Sequence, residues 1–483
     1  MAQSVKAAAI ENQKTSSTYF DHSKRKFSKR DVIGYFFGDF GCNMSFALIS
    51  SFMFIYFTQF VGIKLVHYSI IILLTKIFDG INDPIVGALI DRFTPSKGDK
   101  FKPWIKYGGI ILAFASAIMF VDSSSWNYTL KLIICIGSYV IWDICYTIVN
   151  VPYGSLNSVM TVDSKERTLL STARSYGGLI GGSLIGFLIP LFAYREDVVD
   201  GQTVSIFLGE RMFIIAIILG VVAIVSFFLL VNNVEERVVH VVSEDKEEEK
   251  FSYLEALKGF VKNKAILALA LNALFQMIFI ASSAQLGTIT YQLYFKDGSL
   301  SSLLVLTRIV PLVIGSLVGP PLIAKYGKKA CVAIPTFLTS LIYLAMAFLP
   351  IQSPAIWLTL QIVAVTVSCV TTIAIWAMVS DAIDYQELQT GKRNEGSVYA
   401  TYSMIRKIGQ GVGQALVPAM IAFLIPGLDL SNATTWLPEY ANSVKIMSVL
   451  FPAVGWFLMF VTFKLYPIGK KEEDQIQEVI ANK

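Results

Sequence analysis

Long apolar runs separated by short polar turns dominate the sequence from residue 31 to residue 466. About twelve such runs follow at nearly regular spacing, and as a helix each would cross the roughly 30 Å hydrocarbon core of a bilayer. A soluble fold is excluded, because 54% of the 483 residues are hydrophobic and the runs are nearly free of charge. The fold class is therefore an all-α membrane protein. The predicted spans are 31–60, 66–91, 104–122, 128–152, 168–193, 211–232, 264–294, 301–324, 331–350, 355–380, 396–425 and 442–466.

One long polar interruption contains the run SEDKEEEK and divides the spans into two sets of six. A charged segment of this kind is typical of a solvated linker. The predicted domains are an amino-terminal tail (1–30), a six-helix bundle (31–232), a linker (233–263), a second six-helix bundle (264–466) and a carboxy-terminal tail (467–483).

The distribution of lysine and arginine predicts the orientation in the membrane. The turns after spans 2, 4, 8 and 10 are basic, whereas the opposite turns hold almost no basic residues. Basic turns stay on the cytoplasmic side. We therefore expect both termini and the linker in the cytoplasm, and the chain in the cell's inner (cytoplasmic) membrane. Residues 1–30 contain no apolar core of a cleavable signal peptide.

Several classes of function are excluded by composition and motifs. The formal charge of +5 does not indicate a nucleic-acid partner, because the basic residues lie in short turns. The five cysteines are scattered within apolar runs, which is typical of small buried side chains and not of a metal site or a disulfide framework. No Ser-His-Asp, HExxH or phosphate-loop pattern is present. We expect no cofactor other than a transported ion, and no enzymatic activity.

Three polar side chains interrupt the second apolar run. Asp79, Asn82 and Asp83 share one face of a helix. An ionised carboxylate at the centre of a membrane helix costs about 3 kcal/mol, so this face should meet the protein interior and a positive group. Carboxylate and amide oxygens suit a small, hard cation. The alternative is an ion pair that only ties helices together.

The two halves of the chain resemble each other weakly. The turn GALIDRFTPSKGDKFKPW after span 2 has a counterpart, GPPLIAKYGKKACV, after span 8. Two six-span halves with matching turns indicate a parallel repeat, as in major facilitator transporters, whose site lies between the halves near mid-membrane.

The motifs DGINDPIVGALIDR, GDKFKPW, YTIVNVPYGSL and WAMVSDAIDYQE occur in this order along the chain. From about residue 31 to residue 466 the sequence resembles the glycoside–pentoside–hexuronide:cation symporter family of the major facilitator superfamily. The resemblance implies alternating access between two pseudo-symmetric halves. It also implies a sugar substrate, Na⁺ or H⁺ as coupling ion, and membrane lipid as surroundings.

The resemblance to melibiose carriers also implies site residues, position by position. The implied cation set is Asp79, Asn82, Asp83 and Thr147, with Asp79 and Asp83 as Na⁺ ligands if the ion is sodium. The implied sugar contacts are Asp39, Tyr146, Asn150 and Arg174, and Lys407 lies between the two sites. We add Trp376 as an aromatic face for sugar C–H groups.

Three positions depart from the melibiose carriers. Asn150 replaces an aspartate, Gly154 a tryptophan and Gly38 a lysine. The sequence is closer here to glucuronide and xyloside carriers, so melibiose is a doubtful substrate, and we expect a wider pocket near Gly154.

Alternatives remain for the buried charges. Asp39 can accept two sugar hydroxyls or form an ion pair with Arg174 or Lys407. Lys407 either holds the ion site when the ion is absent or forms a purely structural bridge. Asp143 is either a proton carrier or a residue near the outer interface, and we favour the outer interface.

Charged residues at the inner ends of spans 2, 5, 10 and 11 predict a closure network whose ion pairs break on opening. Exposed pairs contribute only about 0–1 kcal/mol each, which suits a gate that opens repeatedly. The network is Arg92, Arg167, Asp381, Asp384, Arg393 and Glu395.

An alternative function is a cation-coupled lysolipid or lipid carrier of the same fold, which would need an apolar lateral opening. A non-transporting sensor would lack coupled uptake.

Overall fold

All twelve predicted spans are helical in the computed structural model, which describes residues 16–20, 23–92, 99–242, 263–390, 395–473 and 475. The first half contains α1 (Lys29–Ile55), α2 (Leu65–Arg92), α3 (Lys102–Ile118), α4 (Tyr128–Met160), α5 (Ser164–Ala193) and α6 (Met212–Asn233). The second half contains α7 (Lys264–Leu293), α8 (Leu306–Tyr326), α9 (Lys328–Phe348), α10 (Pro354–Val367), α11 (Cys369–Thr390), α12 (Glu395–Leu424) and α13 (Pro438–Leu465). The tenth predicted span is thus broken into α10 and α11 at Ser368.

The described residues contain nine helical elements that are long and apolar enough to cross a membrane. Three further helices occupy predicted spans. The helix α3 has 17 residues, and α2 and α12 have 28 and 30 residues and carry the charged side chains of the candidate site. The helix α4 ends at Met160, eight residues beyond its predicted end, because Pro152 lies inside it and does not end it.

Four short strands lie outside the helices. Strand β1 (Ser16–Phe20) pairs antiparallel with β4 (Val238–Val242), so the amino-terminal tail is tied to the segment that follows α6. Strands β2 (Tyr194–Val199) and β3 (Gln202–Phe207) form a hairpin between α5 and α6.

A buried ion cluster stabilises the face at which α1 begins. The Asp31 carboxylate, fully buried, accepts from Arg237 at 2.8 Å and lies 2.9 Å from Arg25. Arg237 is itself fully buried, and it donates to the backbone carbonyl of Met160 at 3.2 Å. The prediction of a solvated linker from residue 233 onward is therefore wrong for its first residues, because their charges are needed inside the bundle.

Glu236, next to this cluster, binds the start of α3. Its carboxylate accepts from the backbone N–H groups of Lys100, Phe101 and Lys102 at 2.8, 2.8 and 2.9 Å. These N–H groups lie at a helix start, where they lack partners within the helix and where a negative charge is favoured. Burial raises the pKa of Glu236, and the three donors oppose that rise.

The two halves meet at the face opposite to the start of α1. Gln59, just after α1, and Gln292, near the end of α7, exchange side-chain hydrogen bonds at 2.8 and 2.9 Å. Gln292 also donates to the backbone carbonyl of Ser205 in β3 at 3.0 Å. The Ser205 hydroxyl accepts from the backbone N–H of Gly298 at 2.9 Å. The β2–β3 hairpin of the first half therefore closes this face against the second half.

The helices α1 and α5 pack closely through glycine. A methyl group placed on Gly177 would lie 2.4 Å from the carbonyl oxygen of Phe36, and one on Gly181 would lie 3.0 Å from the Asn43 side chain. The contact is too close for any larger residue. It therefore fixes the spacing of the helices that carry Asp39 and Arg174.

Replacing Gly177 by Ala should lower the apparent melting temperature of the purified protein in detergent by about 5 °C or more, because α5 must move away from α1. Gly186 on the same helix has no atom within 4 Å of an added methyl group, so Gly186→Ala is the matched control and should leave the melting temperature unchanged. Equal melting temperatures for the two variants would show that the close packing contributes nothing to stability.

Candidate functional site

The four residues of the implied cation set lie together between α2 and α4. The Thr147 hydroxyl donates to a carboxylate oxygen of Asp83 at 3.1 Å. The Asn82 amide donates to the same hydroxyl oxygen at 3.1 Å. Asp79 lies one turn before Asp83 on α2, and its side chain is 16% exposed. Both carboxylates thus lie against other polar side chains, and neither is turned out to lipid.

Asp143 belongs to this cluster as well. Its side chain is buried, and one carboxylate oxygen lies 3.3 Å from the Asn82 amide nitrogen, which donates to it. The expectation that Asp143 lies near the outer interface is therefore wrong. Its spacing of four residues from Thr147 on α4 was the signal that could have placed it here.

Two ammonium groups face the carboxylates. Lys407 of α12, in the second half, forms an ion pair with Asp83, and its Nζ lies 3.8 Å from Asp79. Lys76 of α2 lies 3.5 Å from Asp79 and 5.6 Å from the ring centre of Tyr139. The sequence pattern does not indicate a role for Lys76. With every group ionised, three carboxylates and two ammonium groups leave one negative charge, which matches one monovalent cation or one proton.

A polar hollow adjoins this cluster at the boundary of the halves. It is small, with a volume of about 20 Å³, enough for about one water molecule. Lys76, Tyr139 and Trp142 line it from the first half, and Gln285 and Gln414 line it from the second. The ion cluster thus borders the boundary that must open and close during transport.

The implied sugar contacts form a second group on α1, α4 and α5. Arg174 Nε lies 3.5 Å from the Asp39 carboxylate, and the guanidinium lies 5.0 Å from the ring centre of Tyr153. An ion pair between Asp39 and Arg174 is thus present. A methyl group on Gly154 would have only Arg174 Nη1 within 4 Å, at 3.6 Å, and Asn150 is half-buried nearby on α4. The chain at Gly154 is therefore open on the side that faces Arg174.

The two aromatic candidates for sugar contact, Tyr146 and Trp376, have different surroundings. Tyr146 stacks on Trp142 with ring centres 5.3 Å apart and lies 5.5 Å from Phe46, so its ring packs in an aromatic group. Trp376 on α11 is 48% exposed and lies against the guanidinium of Arg406 at 5.3 Å. Trp376 therefore presents an exposed aromatic surface in the second half, whereas Tyr146 is a packing residue.

Two residues of the predicted closure network, Arg167 and Asp381, bond within their own halves. Arg167 donates to the carbonyl of Thr161 at 3.0 Å, and Asp381 accepts from Lys328 at 2.5 Å. Arg92 is exposed at the end of α2, and Asp384 lies on α11, one turn after Asp381. Arg393 and the side chain of Glu395 lie outside the described residues. Among the described residues, neither Arg167 nor Asp381 forms an ion pair across the halves in this conformation.

Comparison with known proteins agrees with this architecture. A family model described as MFS/sugar transport protein matches residues 34–470. The chain belongs to this family. The predicted major facilitator fold is confirmed, and the protein is a multi-pass membrane transporter and not an enzyme.

The relatives of the chain match it over nearly its whole length. It is 30% identical to the uncharacterized symporter YjmB of Bacillus subtilis (strain 168), over 95% of this chain and 97% of that protein. It is 28% identical to the glucuronide carrier protein homolog of Escherichia coli (strain K12), with the same coverage of both chains. The crystal structure of the nucleoside transporter NupG has a TM-score of 0.62 at 11% identity, covering 91% of this chain and 100% of that one, and supports the fold alone.

Replacing Lys407 by Met leaves Asp83 without its ammonium partner and should lower the apparent melting temperature in sodium-free detergent buffer. The Lys407 side chain is 46% exposed, so we expect a loss on the order of 1 kcal/mol, or a few degrees. Adding Asp83→Asn to that variant removes the unpaired carboxylate and should recover part of the loss.

Lys464→Met, at an exposed position near the end of α13, is the matched control for the loss of an ammonium group. If the double variant loses as much stability as the two single variants added together, Lys407 and Asp83 are not coupled.

Proposed function

We propose that the protein is a secondary active transporter that carries a sugar together with Na⁺ or H⁺ by alternating access between its two halves. The observation that carries the proposal is the contact of Lys407, from the second half, with Asp83 and Asp79 of the first. Membership of a sugar transport family, and relatives named a symporter and a glucuronide carrier, support the same function.

The cation binds at Asp79, Asp83, Asn82 and Thr147 in this proposal. The one excess negative charge of the cluster attracts a cation, which competes with Lys407 for the Asp83 carboxylate. Keeping two carboxylates one helical turn apart ionised in a low-dielectric cleft costs free energy unless a positive group neutralises them. Release of Lys407 then changes the contact between the halves. If cation binding increases the affinity for the sugar, linkage requires the sugar to increase the affinity for the cation by the same factor.

The sugar binds across the space beside Asp39, Arg174 and Asn150, with Trp376 as the facing aromatic surface. A carboxylate accepts two neighbouring hydroxyls, a guanidinium donates to two oxygens, and an amide does both. Sugar C–H groups pack on an exposed ring such as that of Trp376. The charged character of these walls disfavours a lipid as cargo.

We also propose that the face at which α1 begins is cytoplasmic, so that the conformation is open to the inside of the cell's inner membrane. The direct contacts of Gln59 with Gln292, and of the β2–β3 hairpin with the second half, close the opposite face. At the cytoplasmic face, Arg167 and Asp381 keep partners within their own halves. In the outward-open state they exchange these partners for ion pairs across the boundary.

Replacing Asp83 by Asn should abolish concentrative uptake and leave downhill exchange, because a ligand of the driving ion is lost while the sugar path stays intact. Membrane vesicles should be tested with radiolabelled glycosides, pentosides and glucuronides, with a sodium gradient, a proton gradient or neither. Wild type should concentrate at least one sugar under one gradient, and Asp83→Asn should reach only the external concentration while retaining sugar counterflow.

Asp200→Asn is the matched control, since it removes a carboxylate at an exposed turn of the β2–β3 hairpin, where the positive backbone φ of 50° suits asparagine. The assignment of the ion site fails if Asp83→Asn concentrates sugar as wild type does.

A further inference from the structure

The polar hollow beside the ion cluster lies on the side of the closed face. Gln285 lines it from α7, seven residues before Gln292, which bonds across the closed face to Gln59. Gln414 lines it from α12, seven residues after Lys407 of the ion cluster. Seven residues of helix span about 10 Å, so the hollow lies between the ion cluster and the closed face, roughly 10 Å from either.

The first half gives the hollow the same depth in the membrane. On α1 the hollow begins at Phe46, seven residues past Asp39. On α4 it is lined by Tyr139 and Trp142, which precede Asn150. Successive membrane helices alternate in direction, so on both helices the hollow is nearer the closed face than the proposed sugar contacts are. A sugar that enters through this face when it opens therefore passes the hollow.

Direct contacts between α2 and α12 close the boundary around the hollow. The Ser69 hydroxyl donates to the backbone carbonyl of Ala415 at 2.6 Å. A methyl group on Gly411 would lie 2.8 Å from the side chain of Lys76. The volume of about 20 Å³ left among these contacts suits one water molecule and is too small for a sugar. The hollow must therefore widen when the closed face opens.

Gln285 brings a buried acceptor to the hollow. Its side chain is 6% exposed, and its amide oxygen has no hydrogen-bond partner within the described part of the chain. A buried acceptor without a donor is costly and indicates a ligand that brings one. Lys76, which lines the hollow from the first half, offers only donors. A hydroxyl group satisfies both side chains, because it accepts from an ammonium group while it donates to a carbonyl oxygen. A metal cation is repelled by Lys76, and an anion is repelled by the amide oxygen.

We infer that Lys76 and Gln285 form an outer subsite for a hydroxyl group of the transported sugar, which the sugar occupies on entry before it reaches Asp39 and Arg174. Water is the other source of a hydroxyl group. One water molecule fits the hollow while the face is closed, and a sugar hydroxyl replaces it when the face opens. The inference rests on the proposed sugar transport and orientation, and it adds a contact from the second half that acts in one direction of transport.

Transport measured in both directions tests the subsite. Gln285→Met keeps the approximate size of the side chain and removes its hydrogen bond to a hydroxyl group. Methyl β-D-glucoside, methyl β-D-xyloside and 4-nitrophenyl β-D-glucuronide should be followed as influx into right-side-out vesicles and as efflux from preloaded ones. For each sugar that wild type carries, Gln285→Met should raise the KM for influx at least about fivefold and change the KM for efflux less than about twofold.

Gln276→Met is the matched control for this change. Gln276 lies on the same helix, nine residues further from the closed face, and is 9% exposed. It should leave the ratio of the two KM values as in wild type. If Gln285→Met raises both KM values equally, or leaves the KM for influx unchanged, the inference is wrong.

Labelling of a cysteine in the hollow separates sugar from water and leaves Gln285 intact. Ser50 lines the hollow, so Ser50→Cys should react with a membrane-impermeant methanethiosulfonate reagent added outside, once the face opens. Adding Gln292→Leu, which removes the bonds to Gln59, should speed this reaction about fivefold. Saturating amounts of a carried sugar should slow it at least about twofold, and mannitol should not.

Ser51→Cys, at the neighbouring exposed position on α1, is the matched control, and its reaction rate should respond neither to Gln292→Leu nor to sugar. Labelling of Ser50→Cys that no carried sugar slows shows that water alone occupies the hollow, and this result overturns the subsite while leaving the proposed transport intact. If wild type carries none of the sugars in either direction, the proposed function itself fails.

Discussion

The ion pair between Lys407 and Asp83 is the interaction on which the rest of the site depends. Two carboxylates on α2 are expensive in a membrane, and the second half of the protein supplies one of the cations that neutralise them. The same contact therefore stabilises the site and joins the halves. In the proposed cycle an ion that binds to Asp83 competes with Lys407, so occupancy of the site and the arrangement of the halves are connected through one charged group.

The closed face is held by weaker contacts of another kind. Gln59, Gln292 and Ser205 form neutral hydrogen bonds across the boundary. Each such bond contributes only about 1 kcal/mol net, because water replaces it when the face opens. A few bonds of this strength close the face and still let it open within a transport cycle. At the other face Arg167 and Asp381 keep partners within their own halves, so opening there leaves neither of these two charges without a partner.

The sequence predicted the helices well, because a run of about 20 apolar residues has few other ways to satisfy its backbone in a membrane. It did not predict that α4 continues past Pro152, since a membrane helix tolerates one missing hydrogen bond. Spacing placed Asp79, Asn82 and Asp83 on one face but did not indicate which helix that face meets. For this reason Asp143 was assigned to the outer interface and Lys76 received no role. The pairing of β1 with β4 joins segments more than 200 residues apart, which no local pattern encodes.

Charge balance connects the two parts of the site. Asp39 has Arg174, Asp79 has Lys76 and Asp83 has Lys407, so these walls of the path are nearly neutral before cargo enters. Cargo that enters such a site must exchange partners with these pairs, since both cargo and walls lose water on binding. Sugar hydroxyls can do so at Asp39 and Arg174 without changing the net charge. Asp143 is different, because no ion pair neutralises it within the described residues. Its carboxylate accepts from the Asn82 amide beside Asp79 and Asp83. In the proposed cycle the entering cation binds in this cluster while the sugar exchanges hydrogen bonds at Asp39 and Arg174, so the two cargoes act on different parts of one charge network.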